Sequence, residues 1–310
     1  MQKVYPDYYM DFKCISSECK HNCCIGWEID IDPETAQIYR NIKGDFGEKL
    51  RSNISWGDEP YFILGQNERC PFLNEKNLCE IIINLGEENL CGICSLHPRF
   101  TNELPGRTET GIGLCCEAAA RLILSKKEPV SLIIKGEKET DDEIIDLRDK
   151  VLSALQNRQL KIENRIDKML KLCNAKKDEK PFLEWIEFLI KLERLDPLWT
   201  DLLCFLKENY NDTNCSEFDE YMSERQHEYE NILVYITYRH FANSPTIEQT
   251  AEKALFAAFV YKLIYSIGKA LFLKTGELSF ETQTEIARMF SSEIEYSDQN
   301  LYAILDEMDR

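Results

Sequence analysis

The sequence predicts a mainly α-helical protein in which an irregular, loop-rich, cysteine-dense N-terminal part precedes an all-α helical bundle. Ten of the 13 cysteines lie within the first 116 residues, and turn signals such as Asp32-Pro33 and Pro105-Gly106 interrupt that stretch. Beyond residue 142, apolar residues recur at helical spacing. We therefore predict a cysteine-rich metal-binding region at residues 1–125 and an all-α helical domain at residues 126–310.

Few regular elements are predicted in the first region. Short helices are expected at residues 32–39 and 117–124, and the first has Asp32 as a natural N-cap with Pro33 at the first helical position. No run of alternating apolar residues is long enough to predict a sheet of any size. Residues 125–142 are predicted to form a charged connection with one short apolar stretch.

Helices of the second region are predicted from apolar periodicity and from caps. Thr246 and Gln249 match a capping box. The apolar segment 254–273 contains Lys262 and Lys269, so we predict a buried core helix there rather than a membrane span. The expected helices cover residues 143–172, 182–195, 197–210, 218–240, a segment that includes 254–273, 281–290 and 298–308.

Composition limits the possible partners. The 310 residues, 44% of them hydrophobic, are enough for one large domain or two modest ones. The 37 Lys+Arg against 55 Asp+Glu give a net charge of −18, which argues against a nucleic-acid partner. Such a surface would attract a basic partner such as a lysine-bearing protein surface, although solubility is the simpler explanation of the charge. The N-terminus lacks the basic start and apolar run of a signal peptide, so we expect a cytoplasmic protein.

Cysteine placement is the most informative pattern. In a reducing compartment disulfides are disfavoured, and a dense cysteine cluster indicates metal binding or catalysis. Cys91 and Cys94 have the two-residue spacing that chelates one metal or one cluster edge. Cys173, Cys204 and Cys215 are scattered and are expected to be ordinary thiols. The predicted ligands are Cys14, Cys19, Cys23, Cys24, Cys70, Cys79, Cys91, Cys94 and one of the pair Cys115-Cys116.

Thiolates are soft ligands that suit iron–sulfur clusters, zinc and Cu(I), and four of them complete one tetrahedral metal or one cubane cluster. Because the cysteines are spaced irregularly, we favour a [4Fe–4S] cluster, with zinc as the alternative. The candidates outnumber four, so there are spare cysteines or two centres. In an adjacent pair such as Cys23-Cys24 the side chains are expected to diverge, which leaves one of the two unbound. His21 or His97 could replace a cysteine.

The order of the cysteine motifs carries a family resemblance. The segments are YPDYYMDFKC, C-x4-C-x3-CC-x-GW, CPFL, and LCGIC followed by PR, all within residues 5–124. Together they resemble the FliB family of flagellin lysine N-methylases, whose N-terminal half is similar to the CxxCxxCC family of zinc- or iron-chelating domains. The family pattern has Ser-Cys-Pro-Glu where this chain has Cys115-Cys116-Glu117-Ala118, and ungapped alignment places Cys116 on the family cysteine.

The resemblance implies methyl transfer from S-adenosylmethionine to the ε-amine of flagellin lysines. The residues alone identify no catalytic group. Gly111-Ile112-Gly113 lacks the third glycine of a dinucleotide-type turn, and the C-x3-C-x2-C spacing of radical S-adenosylmethionine enzymes is missing, so neither class is expected. The alternative is a non-catalytic iron–sulfur or zinc-binding module whose helical half docks a partner protein.

Overall fold

The computed structural model describes residues 1–137, 142–176, 179–213 and 215–309. The chain divides into two compact units. The helical unit contains Met1–Phe12, Thr101–Cys115 and Ala119–Arg310, and the cysteine unit contains Lys13–Phe100 together with Cys116–Ala118. The domain boundary that the sequence predicts between residues 125 and 126 stays a prediction. The two compact units divide the chain at other positions.

Fourteen α-helices lie in the described residues, which confirms a mainly α-helical protein with a loop- and strand-rich N-terminal part. The helices are α1 (Pro33–Asn41), α2 (Asp45–Ser52), α3 (Glu80–Leu85), α4 (Gly92–Leu96), α5 (Glu117–Ser125), α6 (Glu143–Leu155), α7 (Ile162–Leu172), α8 (Phe182–Leu189), α9 (Pro197–Asn209), α10 (Ser216–Tyr221), α11 (Gln226–His240), α12 (Thr250–Thr275), α13 (Phe280–Phe290) and α14 (Asp298–Met308). The strands are β1 (Gln2–Pro6), β2 (Ile54–Ser55), β3 (Tyr61–Phe62), β4 (Arg99–Leu104), β5 (Arg107–Ile112) and β6 (Leu132–Lys135).

Four strands form a sheet in the order β4-β5-β1-β6, in which β1 is parallel to β5 and antiparallel to β6. The prediction that the N-terminal region has no sheet of any size was therefore wrong. The sheet could not be predicted from the sequence because β4 and β5 are mostly polar. Their sequences are RFTNEL and RTETGI. Neither strand contains a run of alternating apolar residues, which is the pattern that predicts a strand from sequence.

Several helix predictions are confirmed. Asp32 caps α1 by accepting a hydrogen bond from the Thr35 N–H (2.9 Å), and Pro33 is the first helical residue. At the start of α9, Asp196 accepts a hydrogen bond from the Leu198 N–H (2.9 Å). The last helix, α14, covers the expected residues.

Other helices are shorter than the periodicity suggests. Residues 143–172 form two helices, α6 and α7, and residues 218–240 are interrupted by a 3₁₀ turn at Ser223–Arg225. Such interruptions are too short to disturb the apolar period, so the pattern runs through them. The predicted capping box is also wrong, because α12 begins at Thr250 and its N-cap residue Gln249 makes no side-chain capping bond.

The longest helix of the described residues, α12, packs against α7, α9, α11, α13 and α14. By length and hydropathy it would suit a membrane span, yet 67% of its most apolar stretch is buried inside the protein. Gly268 lets α11 and the loop after α12 approach closely, because a Cβ there would lie 2.9 Å from Leu278 Cδ2 and 3.1 Å from Tyr229 Oη. These contacts agree with the predicted core helix.

Buried ion pairs tie this helical unit together. On α11, the Glu230 carboxylate accepts hydrogen bonds from Arg158 Nη2 (2.8 Å) and Arg165 Nη1 (2.6 Å). Arg165 also donates to the Leu155 carbonyl oxygen (3.2 Å), so the turn between α6 and α7 is fixed to α11. On β5, the fully buried Glu109 pairs with Arg148 of α6.

Removal of Glu230 tests this linkage. We expect Glu230→Ala to lower the free energy of unfolding by about 3–5 kcal/mol, because two arginines would lose their partner at a buried position. The matched control is Glu281→Ala, since Glu281 is 61% exposed in its pair with Arg121. An exposed pair contributes about 1 kcal/mol or less. Equal losses for both variants in chemical denaturation would contradict the prediction.

Candidate metal centre

Five of the predicted ligands lie in or against the hydrophobic core of the cysteine unit, and a sixth, the exposed Cys23, is hydrogen-bonded to one of them, Cys24. Cys70 and Cys91 are buried within that core, next to residues such as Phe62 and Phe72. Three further cysteines are partly buried and pack against it. We call the group the six-thiol set, and its members are Cys23, Cys24, Cys70, Cys79, Cys91 and Cys94.

Backbone hydrogen bonds position the first three thiols. The Asn22 side chain accepts from the Cys24 N–H (2.9 Å), which closes the loop around the adjacent cysteines. The Cys70 N–H then donates to the Cys24 carbonyl oxygen (2.8 Å). These two bonds hold the segment around Cys23 and Cys24 beside Cys70.

The other three thiols are presented by short helices. Cys79 and Cys91 are the N-cap residues of α3 and α4, and Cys94 lies three residues further along, on the same face as Cys91. Asp32 fixes this arrangement, because its carboxylate accepts from both the Thr35 N–H (2.9 Å) and the Gly92 N–H (2.8 Å). The Asp32 side chain thus connects the start of α1 to the segment that contains Cys91 and Cys94.

Thiol–thiol hydrogen bonds show how close these side chains are. Cys24 donates to Cys23 and lowers the pKa of Cys23 to about 7. Cys94 donates in the same way to Cys91 and lowers its pKa. The Cys23 and Cys24 side chains therefore meet, so the expectation that adjacent side chains diverge was wrong for this pair.

Backbone N–H groups also point at the sulfurs. The Phe72 N–H donates to Cys70, although burial dominates and raises the pKa of the Cys70 thiol to about 11. The Ile81 and Ile82 N–H groups donate to Cys79, whose pKa burial likewise raises. Hydrogen bonds to sulfur stabilise a thiolate, and a bound metal would replace the thiol protons.

The donor chemistry of the six-thiol set fits an iron–sulfur cluster or zinc, since all its ligating atoms are soft thiols. Among the described residues, no three His, Cys, Asp or Glu side chains already stand together at metal-coordinating distance.

A second, smaller group lies in the same unit. Cys19 Sγ is 3.7 Å from Glu117 Oε2 and also donates to the His21 carbonyl oxygen (3.2 Å). The same Glu117 oxygen accepts from the Lys20 N–H (2.8 Å). Cys19 interacts electrostatically with Cys116 and with Cys23 as well as with Glu117. Burial is the main cause that raises the pKa of Cys19 to about 12.

The adjacent cysteines at positions 115 and 116 belong to different compact units. Cys115 is buried in the helical unit, where it hydrogen-bonds Tyr296. Gly113 allows this arrangement, because a Cβ there would lie 2.1 Å from Tyr296 Oη. Cys116, which the alignment made the candidate ligand, lies in the cysteine unit, and its ligand role stays a prediction.

Two further candidates, Cys14 and His97, belong to neither of these groups, and the thiols of the second region were not predicted to be ligands. Cys14 is exposed, and its sulfur accepts from the Ser16 N–H (3.4 Å). His97 ends α4, and burial lowers its pKa to about 4. Cys173 and Cys204 belong to the helical unit, the first buried and the second exposed.

Sequence reasoning missed a polar cluster in the helical unit. A π-helical turn, Ser291–Glu295, follows α13 and buries Glu295 completely. The Glu295 carboxylate lies 2.7 Å from His240 Nε2 and 3.5 Å from Arg239 Nε, and Arg239 donates to Tyr235 Oη (2.7 Å). His240 is thus a partly buried residue whose ring is hydrogen-bonded to Glu295.

The protonation state of Glu295 makes the stability of the folded protein depend on pH. Burial alone would raise the pKa of Glu295, but Arg239 and His240 together lower it. A carboxylate with a lowered pKa stabilises the folded state above its unfolded pKa of about 4.3, and this stabilisation is lost as the pH falls through the folded pKa. We expect Glu295→Gln to be less stable than the wild type at about pH 7 and the difference to shrink below about pH 4. A difference that stays constant across this range in chemical denaturation would contradict the prediction.

A cavity of about 220 Å³ lies in the helical unit between the β4–β5 turn and α6. Three aspartates of α6 and its N-cap line it, so it carries excess negative charge. Asp142 caps the helix by accepting from the Ile144 N–H, and Asp149 pairs with Arg148. Because these carboxylates have roles within the protein, we assign the cavity no ligand.

The fold and the thiol groups define a mainly α-helical protein with a cysteine-lined candidate metal centre. Residues 138–310 match the model of the FliB lysine N-methylase C-terminal domain, which covers more than half of the chain. The chain therefore belongs to the FliB lysine N-methylase family, as its cysteine motifs indicated.

Individual relatives match over shorter stretches. The chain is 30% identical to the lysine-N-methylases of Salmonella choleraesuis and Salmonella typhimurium over 137 residues, 41% of this chain and 33% of each relative. It is also 30% identical to the flagellar biosynthetic protein FliU of Salmonella muenchen over 145 residues, 44% of this chain and 82% of FliU. The match thus spans a third of the length of the two lysine-N-methylases. No solved structure matches the chain.

Proposed function

We propose that this protein is a cytoplasmic protein lysine N-methylase that uses S-adenosylmethionine to methylate lysines of a flagellin-like protein. The observation that carries the proposal is the match of residues 138–310 to the FliB lysine N-methylase C-terminal domain. The names of two relatives, lysine-N-methylase and flagellar biosynthetic protein FliU, support the reaction and the flagellar context. The net charge of −18 would attract a lysine-bearing substrate.

The reaction places clear demands on the substrate amine. The lysine ε-amine must lose its proton to solvent or to a base, and its lone pair then forms the new N–CH3 bond as the S–CH3 bond of the sulfonium breaks. Orientation of the two reactants supplies much of the rate, since this is a bimolecular displacement.

A metal centre in the six-thiol set is the second part of the proposal. The burial of these cysteines, their mutual hydrogen bonds and the N–H groups directed at their sulfurs support a [4Fe–4S] cluster held by four of them. Such a cluster would supply a one-electron redox centre and would cross-link the loops that carry its ligands.

The methylase proposal is tested with labelled S-adenosylmethionine and purified flagellin. We expect label on flagellin lysines, and no label on flagellin whose lysines have been chemically blocked. The protein should be purified without oxygen so that an oxygen-sensitive cluster survives. If metal-loaded protein transfers no label and binds no donor, the methylase proposal fails and the non-catalytic metal-binding module is the remaining function.

The metal proposal is tested by Cys91→Ser and Cys94→Ser. Wild-type protein should be brown with broad absorbance at ~400 nm, and each variant should lose that absorbance together with its iron. Each should also unfold more easily, since metal-binding energy is here part of folding energy. The matched control is Cys204→Ser, because Cys204 is exposed and lies in the helical unit. If the wild-type protein is colourless and contains stoichiometric zinc, the iron–sulfur proposal is wrong and the centre binds zinc.

A further inference from the structure

His240 and Glu295 form a hydrogen-bonded pair at the end of α11, within the helical unit. The Nε2 atom of His240 lies 2.7 Å from Glu295 Oε1. The Glu295 side chain is completely buried, whereas 13% of the His240 side chain is exposed. The imidazole is therefore the part of the pair that another molecule can reach.

An uncommon turn of the chain places the carboxylate in the interior. Helix α13 is followed by the π-helical turn Ser291–Glu295, and all five of its residues are buried. Turns of this kind are rare and occur frequently at functional sites. A buried carboxylate also destabilises a fold unless charged partners compensate it. Both features indicate that Glu295 has a role beyond packing.

Arg239 compensates the charge of Glu295 and is itself held in place. Its Nε lies 3.5 Å from Glu295 Oε1. The guanidinium also donates to Tyr235 Oη (2.7 Å) and lies over the ring of Tyr296, 4.4 Å from the centroid. Because Arg239 and His240 lower the pKa of Glu295, the side chain is a carboxylate at neutral pH and accepts hydrogen bonds without donating any.

This carboxylate selects the tautomer of the imidazole. Since Glu295 accepts, Nε2 of His240 carries a proton, and Nδ1 of the neutral ring keeps its lone pair. Burial lowers the pKa of His240, so the ring is neutral at about pH 7. Phe256 packs edge-on against the imidazole, with ring centroids 5.5 Å apart, and limits its rotation. A neutral histidine that a carboxylate orients is the usual form of a general base.

We propose that His240 is the general base of the methyl transfer and that Glu295 and Arg239 are positioning residues that orient it. The inference rests on the proposed function, because it assigns the group that removes the proton from the substrate lysine. All three residues lie within residues 138–310, the part of the chain that matches the FliB lysine N-methylase C-terminal domain.

The reaction then has two steps. His240 Nδ1 takes one proton from the ε-ammonium of the substrate lysine and leaves a neutral amine. The amine lone pair forms the new N–CH3 bond while the S–CH3 bond of S-adenosylmethionine breaks, and the electrons of that bond stay on the sulfur of the thioether product. The imidazolium afterwards gives its proton to water.

The pKa values of the two groups set a condition for the first step. A lysine ammonium has a pKa of about 10.4 and an imidazolium about 6.5, so transfer in water is unfavourable by about four pKa units. Partial burial of the ammonium would lower its pKa and reduce the difference. The imidazolium gains from its place as the last residue of α11, where the helix dipole favours a cation.

Three charged side chains act on the imidazole. The Glu295 carboxylate of the π-helical turn favours the imidazolium, whereas Arg239 of α11 and Lys253 of α12 disfavour it. The burial that lowers the pKa of His240 is thus opposed by its hydrogen-bonded partner. The result is a base that is unprotonated at about pH 7 and has a counter-ion in contact when it takes a proton.

The test compares His240→Gln with the wild type in methyl transfer from labelled S-adenosylmethionine to flagellin. We expect kcat to fall about 10²–10⁴-fold, which is the usual contribution of a general base, with little change in KM. The wild-type kcat should fall as the pH is lowered through the pKa of His240, since the protonated ring is not a base. This acidic limb of the pH profile should be missing in His240→Gln.

Added bases separate proton transfer from support of the fold. In His240→Gly, imidazole and its substituted analogues can occupy the space that the side chain leaves. The rate that they restore should rise with the pKa of the added base, because proton transfer follows such a relation and a structural role does not.

The matched control is His227→Gln, because His227 lies on the same helix and hydrogen-bonds the backbone of Glu224. It should keep the wild-type kcat. The proposal is overturned if His240→Gln keeps the wild-type kcat, or if its loss follows a lower thermal midpoint and no added base restores the rate to His240→Gly. Absence of transfer by the wild type refutes the methylase itself, whereas equal transfer by the wild type and His240→Gln refutes the role of His240 alone.

Discussion

The packing of Cys70 and Cys91 into the core of the cysteine unit is the constraint on which the other thiols depend. Both side chains are almost fully buried among residues such as Tyr39, Phe62 and Phe72. Because a core position leaves a side chain little freedom, these two sulfurs are fixed before any metal binds. The other cysteines are then brought to them by backbone hydrogen bonds, through the Cys24 carbonyl and through Asp32.

The cysteine unit has a small core, and metal binding can add to its stability. Its helices are short, from five to nine residues within Lys13–Phe100, and isolated helices of that length are unstable in water. Buried free thiols with a raised pKa, such as Cys70, must lose their protons when a metal binds. The affinity for metal and the stability of this unit should therefore both fall as the pH is lowered.

The sequence predicts those features that depend on neighbouring residues. The Asp32 cap, the last helix and the cysteine groups follow from local spacing, and five of the cysteines predicted as ligands line the core of the cysteine unit. The polar strands β4 and β5 could not be predicted, because their partners lie far along the chain and their side chains carry no apolar alternation. The pairing of His240 with Glu295 across 55 residues is equally invisible to a periodicity argument.

The split of Cys115 and Cys116 shows why cysteine counts alone cannot define a metal site. Both residues have the same chemistry and the same local sequence, yet one is buried beside Tyr296 in the helical unit and the other lies in the cysteine unit. What distinguishes them is the fold around them: Gly113 lets Tyr296 approach the chain on one side, and the Lys20 N–H holds Glu117 on the other. The position of the backbone therefore determines which neighbouring groups each of the two thiols can reach.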